Sequence, residues 1–152
     1  MSGIDVICDL EDSNLPFTSN IFDEVNASHI LEHIVNLDNV LNEISRVMKP
    51  GAKLQITLPY AGCLRAFQDP THVRFFTLRT FEYYINDESS VGGWYQRKYF
   101  KRITRRHLVF GRGPISLLMS IVVNRSQHLL YLYESSILRI IPARDLQVEL
   151  EK

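Results

Sequence analysis

The sequence predicts an α/β fold, with parallel strands, a C-terminal antiparallel strand and a helical insertion at about 114–141. Three observations carry this. Phe22 to Ser28 and Lys53 to Leu58 are short, strand-like runs. Between them Leu37, Val40, Leu41, Ile44, Val47 and Met48 recur at helical spacing, and a helix between two strands makes a parallel crossover unit. Near the end, Asp145 to Leu150 alternates apolar and polar side chains, as a half-buried antiparallel strand does. At 152 residues the chain has room for a single domain spanning 1–152.

The elements follow in order. Ile4, Val6, Ile7 and Cys8 form a β-branched run ending at Asp9, which reads as a buried strand. Pro16 keeps the turn-rich stretch after it out of a helix. Asn36 caps the helix that runs to Met48, and Lys49-Pro50-Gly51 stops it. Thr77 to Ile85 reads as a short helix capped by Thr77 or Thr80, and Glu88 to Gly93 as a loop. A strand lies within Tyr95 to Phe110. From Pro114 a helical region reaches Ile141, broken at Asn124 to Ser126.

Composition narrows the function. With 17 Lys+Arg against 17 Asp+Glu and 45% hydrophobic residues, no bulk charge favours nucleic acid or an anionic membrane. Residues 1–50 hold nine acids and two bases, while residues 51–115 hold four acids and eleven bases. Such asymmetry interleaves in a folded domain and carries little weight. Two cysteines are too few for a disulfide framework and suit a reduced, cytoplasmic protein. The acidic N-terminus is no signal peptide, and Ile115 to Val123 is about half of the ~20 residues a spanning helix needs.

Four clusters bear chemistry. His29-Ile30-Leu31-Glu32-His33 matches H-x-x-E-H, in which His29 and His33 would share a zinc ion on a helix and Glu32 would act as base. Its position at a strand end rather than inside a long helix argues against that hydrolase reading. The acids at Asp9 to Asp12 stand at the carboxyl end of a strand, where ligands of open α/β sheets bind; a solvated loop is the alternative. Asp69, His72 and Arg74 share one loop beside Phe75 and Phe76, and could serve a polar substrate or only a turn. Arg97 to Arg106 holds six cations with interleaved aromatics. That is the pattern of a strand with one wet face, or of a nucleic-acid site.

Taken together, CDLEDSNLPF, FDEVNASHILEHI, LNEISRVMKPGAKLQITLP and DPTHVRFFT resemble the second half of a class I S-adenosylmethionine-dependent methyltransferase of the small-molecule type. The resemblance runs from about Ile4 to Phe81. It implies that Asp9 contacts the adenine amine and Leu10 the ring. Ser28 and His29 would lie under the methionine part, with Leu31 and His33 behind it. Asp69, His72 and Arg74 would face a small or sugar-like methyl acceptor, with His72 as the base and no metal involved.

The sequence departs from the family in one large respect. Its seven glycines include no GxGxG after a strand, so the glycine-rich cofactor loop and the ribose-binding acid are missing. The resemblance thus implies an N-terminally truncated chain, a fragment, or a subunit completed by a complementing chain. On this reading S-adenosylmethionine binding by the chain alone is weak or absent, weaker than ~100 μM, because several contacts are lost. A non-catalytic interaction module is the alternative function. Exposed strand edges and the apolar stripe Leu129, Leu130, Tyr133 and Ile137 predict a homo-oligomer.

Overall fold

The computed structural model describes residues 6–11, 14–86 and 98–152. Its sheet has four strands: β1 (Phe22–Ser28), β2 (Met48–Pro59), β3 (Arg102–Phe110) and β4 (Ala143–Glu151), in the order β1-β2-β4-β3. β1 and β2 are parallel and joined through helix α1 (Leu37–Val47), as the periodicity predicts; β4 pairs antiparallel with both β2 and β3. A short helix α2 (Arg65–Gln68) follows β2, and helices α3 (Pro114–Val123) and α4 (Gln127–Ser135) lie between β3 and β4.

α1 forms because its apolar stripe has a sheet to cover. Leu37, Val40, Leu41, Ile44 and Val47 are all buried. The Asn36 side chain accepts a hydrogen bond from the Asn39 amide at 3.3 Å and caps the first turn. The helix ends at Val47, and β2 begins at once with Met48. Pro50 favours extended backbone in the residue before it, and Gly51 takes φ +80° while its amide donates to the Lys152 carbonyl. One face of β2 and β4 is core, through Leu54, Ile56, Leu58, Leu146, Val148 and Leu150. The other carries Lys53, Gln55, Gln147 and Glu149.

Helical insertion and break appear where expected. Pro114 opens α3, and Ser126 caps α4 by accepting from the Leu129 amide at 3.2 Å. Asn124, at the break, bonds both the amide and the carbonyl of Leu108 and so ties α3 to β3. The Tyr133 hydroxyl donates to the Ile141 carbonyl and accepts from the Ala143 amide.

Several expectations are corrected. Val6 to Asp9 form no strand, and Ile7 is 89% exposed; Ile4 lies outside the described residues. An apolar run becomes a strand only where a neighbour offers a ladder, and among the described residues β1 pairs with β2 alone. Beside the open edge of β1 lies instead an apolar cavity of about 310 Å³, lined by Leu10, Phe17, Val25, Ala27 and Ile30. Thr80–Tyr84 is a 3-10 helix rather than an α-helix, with the Thr80 hydroxyl accepting from the Thr77 amide. The loop expected at Glu88 to Gly93 lies outside the described residues. The oligomer stripe is not a surface: Leu130 and Tyr133 are core, whereas Ile137 is 80% exposed. The exposed apolar face is Ile115, Leu118 and Ile121 of α3. In the basic run, Arg102 pairs with Glu151 and Arg106 with Glu82, both acids that the linear pattern leaves out.

The segment before β1 is strapped to α1 by one ion pair. Glu43 and Arg46 meet at 2.8 Å; Arg46 also donates to the carbonyls of Leu15 and Phe17, and the Leu15 amide donates to Glu43. The Arg46 hydrogen bond holds the Glu43 carboxyl below its ordinary value of 4.5. A carboxyl depressed in the fold stabilises it above the unfolded value, and that contribution fades as pH falls through the folded one. We therefore expect Glu43→Gln to cost roughly 1–2 kcal/mol at neutral pH, with the gap to the parent closing below about pH 4.5, measured by urea unfolding across pH. We also expect Leu130→Glu to unfold the chain and Ile121→Glu to leave its melting temperature within a few degrees, read by circular dichroism.

Candidate functional site

Parallel pairing of β1 and β2 brings their carboxyl ends to one side, with Ser28 opposite Thr57. The loops after them therefore open on the same crevice, which is where open α/β sheets bind ligands. The His29 amide extends the ladder by one bond, donating to the Thr57 carbonyl at 2.8 Å. His29 then takes φ +50°, and the chain turns into a 3-10 turn at Leu31–His33. Leu31, 1% exposed, is the apolar anchor of that turn.

The second loop threads back onto the first. The amides of Val73 and Arg74 both donate to the Glu32 carbonyl, at 2.9 and 3.2 Å. Arg74 adds its side chain, donating from Nε to the Ile34 carbonyl at 3.1 Å and from Nη2 to that of Val35. Its guanidinium thus ties the two loops together instead of standing free in the crevice.

These ties place His29, Glu32, His33, Asp69 and His72 around one polar cavity of about 510 Å³, with Arg65 and Gln68 on its wall. His72 Nδ1 donates to the Ala66 carbonyl at 2.9 Å, which leaves Nε2 with the lone pair. That Nε2 stands 3.9 Å from Asp69 Oδ2 and 4.0 Å from Glu32 Oε1. His33 Nδ1 meets the Thr71 hydroxyl at 2.9 Å, and its ring packs edge-on against His72 with centroids 4.8 Å apart. The Thr71 hydroxyl and amide both donate to Asp69 Oδ1 and hold that carboxyl below its ordinary range. Glu32 is 2% exposed; its Oε1 faces His29 Nδ1 at 3.4 Å, and its Oε2 is buried without a hydrogen-bond partner.

Of the residues singled out in the sequence, His29, His33, Asp69 and His72 thus share one cavity. Leu10 lines the neighbouring apolar one. Ser28 is exposed at the strand end, and Asp9 is exposed with its carboxylate accepting from the Glu11 amide at 2.9 Å. Glu11 is the anchor of that acidic turn: its carboxylate accepts from the amides of Val35 and Asn36 and so holds residues 9–11 at the mouth of the crevice. Glu32 is the residue the resemblance leaves without a role. Its signal is the H-x-x-E-H pattern itself, joined to the histidine of Asp69-Pro70-Thr71-His72.

Residues 4–56 match a protein family described as a methyltransferase domain. A ubiquinone/menaquinone biosynthesis C-methyltransferase of Bordetella parapertussis is 42% identical over 50 residues, 33% of this chain and 19% of that protein. A sterol 4-C-methyltransferase of Caenorhabditis elegans is 49% identical over 39 residues, 26% of this chain and 12% of that protein. The chain therefore spans about a fifth or less of these relatives by matched length. A SAM-dependent methyltransferase from Archaeoglobus fulgidus superposes with a TM-score of 0.60 at 16% identity, covering 97% of this chain and 66% of its own. This is a class I methyltransferase fold. The crevice above β1 and β2 belongs to this fold.

The left-handed backbone at His29 is a strained conformation for a non-glycine residue, worth about 1 kcal/mol. We expect His29→Gly to leave stability unchanged or raise it by up to about 1 kcal/mol in urea unfolding. A loss beyond about 1 kcal/mol would show that the contact with Glu32 outweighs the strain.

Proposed function

We propose that the chain takes part in methyl transfer from S-adenosylmethionine to a small-molecule acceptor. The observation that carries this is the polar cavity at the carboxyl ends of β1 and β2, next to an apolar one, in a fold shared with methyltransferases. A phosphoethanolamine N-methyltransferase of Haemonchus contortus, 19% identical with a TM-score of 0.57, holds S-adenosylmethionine in its own structure. The residues present here fit one side of such a cofactor. Leu10, Ala27 and Ile30 offer an apolar wall for a flat ring, and the exposed Asp9 carboxylate keeps an oxygen for an amine donor. When bound, the cofactor supplies an electrophilic methyl group.

The chain's own residues do the rest. Ser28 and His29, at the strand end, would face the methionine part, and the strained turn at His29 fixes where it lies. His33, Asp69 and His72 line the acceptor side. His72 Nε2 carries the free lone pair and takes the proton of an acceptor hydroxyl, with Asp69 as the nearby anion that stabilises the resulting imidazolium. Arg74 acts by position, through the carbonyls of Ile34 and Val35. The affinity of the chain alone is low, since no glycine-rich turn stands among the described residues to hold the carboxylate. Association with a second copy or a complementing chain belongs to this reading, and the exposed Ile115, Leu118 and Ile121 support it.

The test is a titration of labelled protein with S-adenosylhomocysteine followed by NMR. We expect shifts at Asp9, Leu10 and Ile30, with a dissociation constant weaker than ~100 μM. No shift at millimolar ligand would overturn the reading, and micromolar affinity would overturn its claim of weakness.

A further inference from the structure

We propose that Glu32, His33 and His72 form a site for a divalent first-row transition ion. One ligand atom from each lies within 4.8 Å of the others, and the three side chains come from two loops that converge at the crevice. This is not the H-x-x-E-H arrangement, in which His29 and His33 would be paired on a helix. Here adjacent residues of a 3-10 turn combine with a histidine supplied from the loop after β2.

Two independent observations point to a cation. The first is the Glu32 carboxylate. It is 2% exposed, its Oε2 has no hydrogen-bond partner, and among the described residues no lysine or arginine pairs with it; its Oε1 faces only imidazoles, His29 at 3.4 Å and His72 at 4.0 Å. A buried carboxylate is costly unless paired, hydrogen-bonded or bound to a metal. The second is the tautomer of the histidines. His72 donates from Nδ1 to the Ala66 carbonyl, and His33 Nδ1 meets the hydroxyl and carbonyl oxygens of Thr71. Metal-ligating histidines are oriented in this way, with the other ring nitrogen held by a carbonyl and the lone pair turned inward. Asp69 extends that outer shell, since it accepts from the same Thr71 hydroxyl.

Two imidazoles and one carboxylate suit manganese, iron, cobalt or zinc, rather than magnesium or calcium, which prefer all-oxygen sets. Metal bonds of about 2.0–2.2 Å require the ligand atoms to close from their present spacing of up to 4.8 Å. Three protein ligands leave coordination positions open toward the polar cavity. With the ion bound, the His72 lone pair lies on the metal and is not free as a base, so the ion would hold and polarise the acceptor oxygen in its place; that role rests on the methyl-transfer reading, whereas binding of the ion does not.

The experiment titrates the full chain with Mn²⁺, read by calorimetry and by loss of the free-ion paramagnetic resonance signal. We expect one ion per chain in the micromolar range. Each of His72→Gln, His33→Gln and Glu32→Gln should weaken binding roughly tenfold or more, with Zn²⁺ competing at the same stoichiometry. Melting curves without metal confirm which variants fold, and His33→Gln, with a partly exposed ring, decides the question if Glu32→Gln does not. Absence of binding at millimolar Mn²⁺, or unchanged affinity in the folded variants, overturns the site. Neither outcome bears on S-adenosylhomocysteine binding, so failure here is separable from failure of the methyltransferase reading.

Discussion

The crevice depends on the joining of two loops, and one backbone oxygen lies at the centre of that seam. The Glu32 carbonyl accepts from the amides of Val73 and Arg74, and those two bonds join the loop after β1 to the loop after β2. The Arg74 guanidinium and the contact of Thr71 with His33 reinforce the same seam. The His72 ring lies against His33, and its Nε2 comes within 4.0 Å of Glu32. The side chain of the same residue points into the space that its backbone closes. Glu32 is thus both the pin that joins the loops and an acid whose buried Oε2 has no hydrogen-bond partner. Leu31 explains why the turn can bear this: fully buried beside it, it fixes the 3-10 turn through apolar packing rather than through the polar groups it displays.

The sheet explains where the crevice can be. β2 is the structural axis, with parallel β1 on one side and antiparallel β4 on the other. The change of direction next to β2 leaves β1 and β2 as the sole parallel pair among the described strands. The carboxyl ends of those two therefore form the crevice without a longer sheet. The cost falls on β1, whose second edge is unpaired among the described residues. An apolar cavity at that edge and an acidic turn anchored by Glu11 stand where a further strand and its loop would lie in a wider sheet.

Much of this was legible in the sequence. The period of α1, its Asn36 cap, the strand at Phe22 and the break at Asn124 are local signals, and each appears where its residues place it, whereas β2 begins already at Met48 and takes in the Lys49-Pro50-Gly51 stretch read as a helix stop before a strand at Lys53. The readings that failed depend on partners distant in sequence. Ile4 to Cys8 has strand composition but no ladder to join over its described residues. Leu130 and Tyr133 lie on an apolar stripe, but periodicity does not say whether the stripe faces its own sheet or another copy; Tyr133 is fixed inward by Ala143, ten residues away. The cations of 101–106 look unpaired in sequence because Glu149 and Glu151 reach them only across the sheet, and Glu82 only from the 3-10 helix.

The site divides the same way. Motif resemblance gathers His29, His33, Asp69 and His72, yet it assigns Arg74 to the acceptor because an arginine beside aromatics suits a polar substrate. The fold spends that guanidinium on two loop carbonyls, a use invisible until both loops are in place. Glu32 shows the converse. In sequence it is the middle of a zinc-hydrolase pattern whose helical premise fails, so the whole pattern loses weight, its acid included. The structure removes the helix and keeps the acid, buries it, and brings a different second histidine to it. A residue pattern can therefore fail in its geometry while its acid still meets two histidines. The pattern and the contact carry separate physical requirements: spacing along a helix for the first, and for the second only convergence of the right donor atoms.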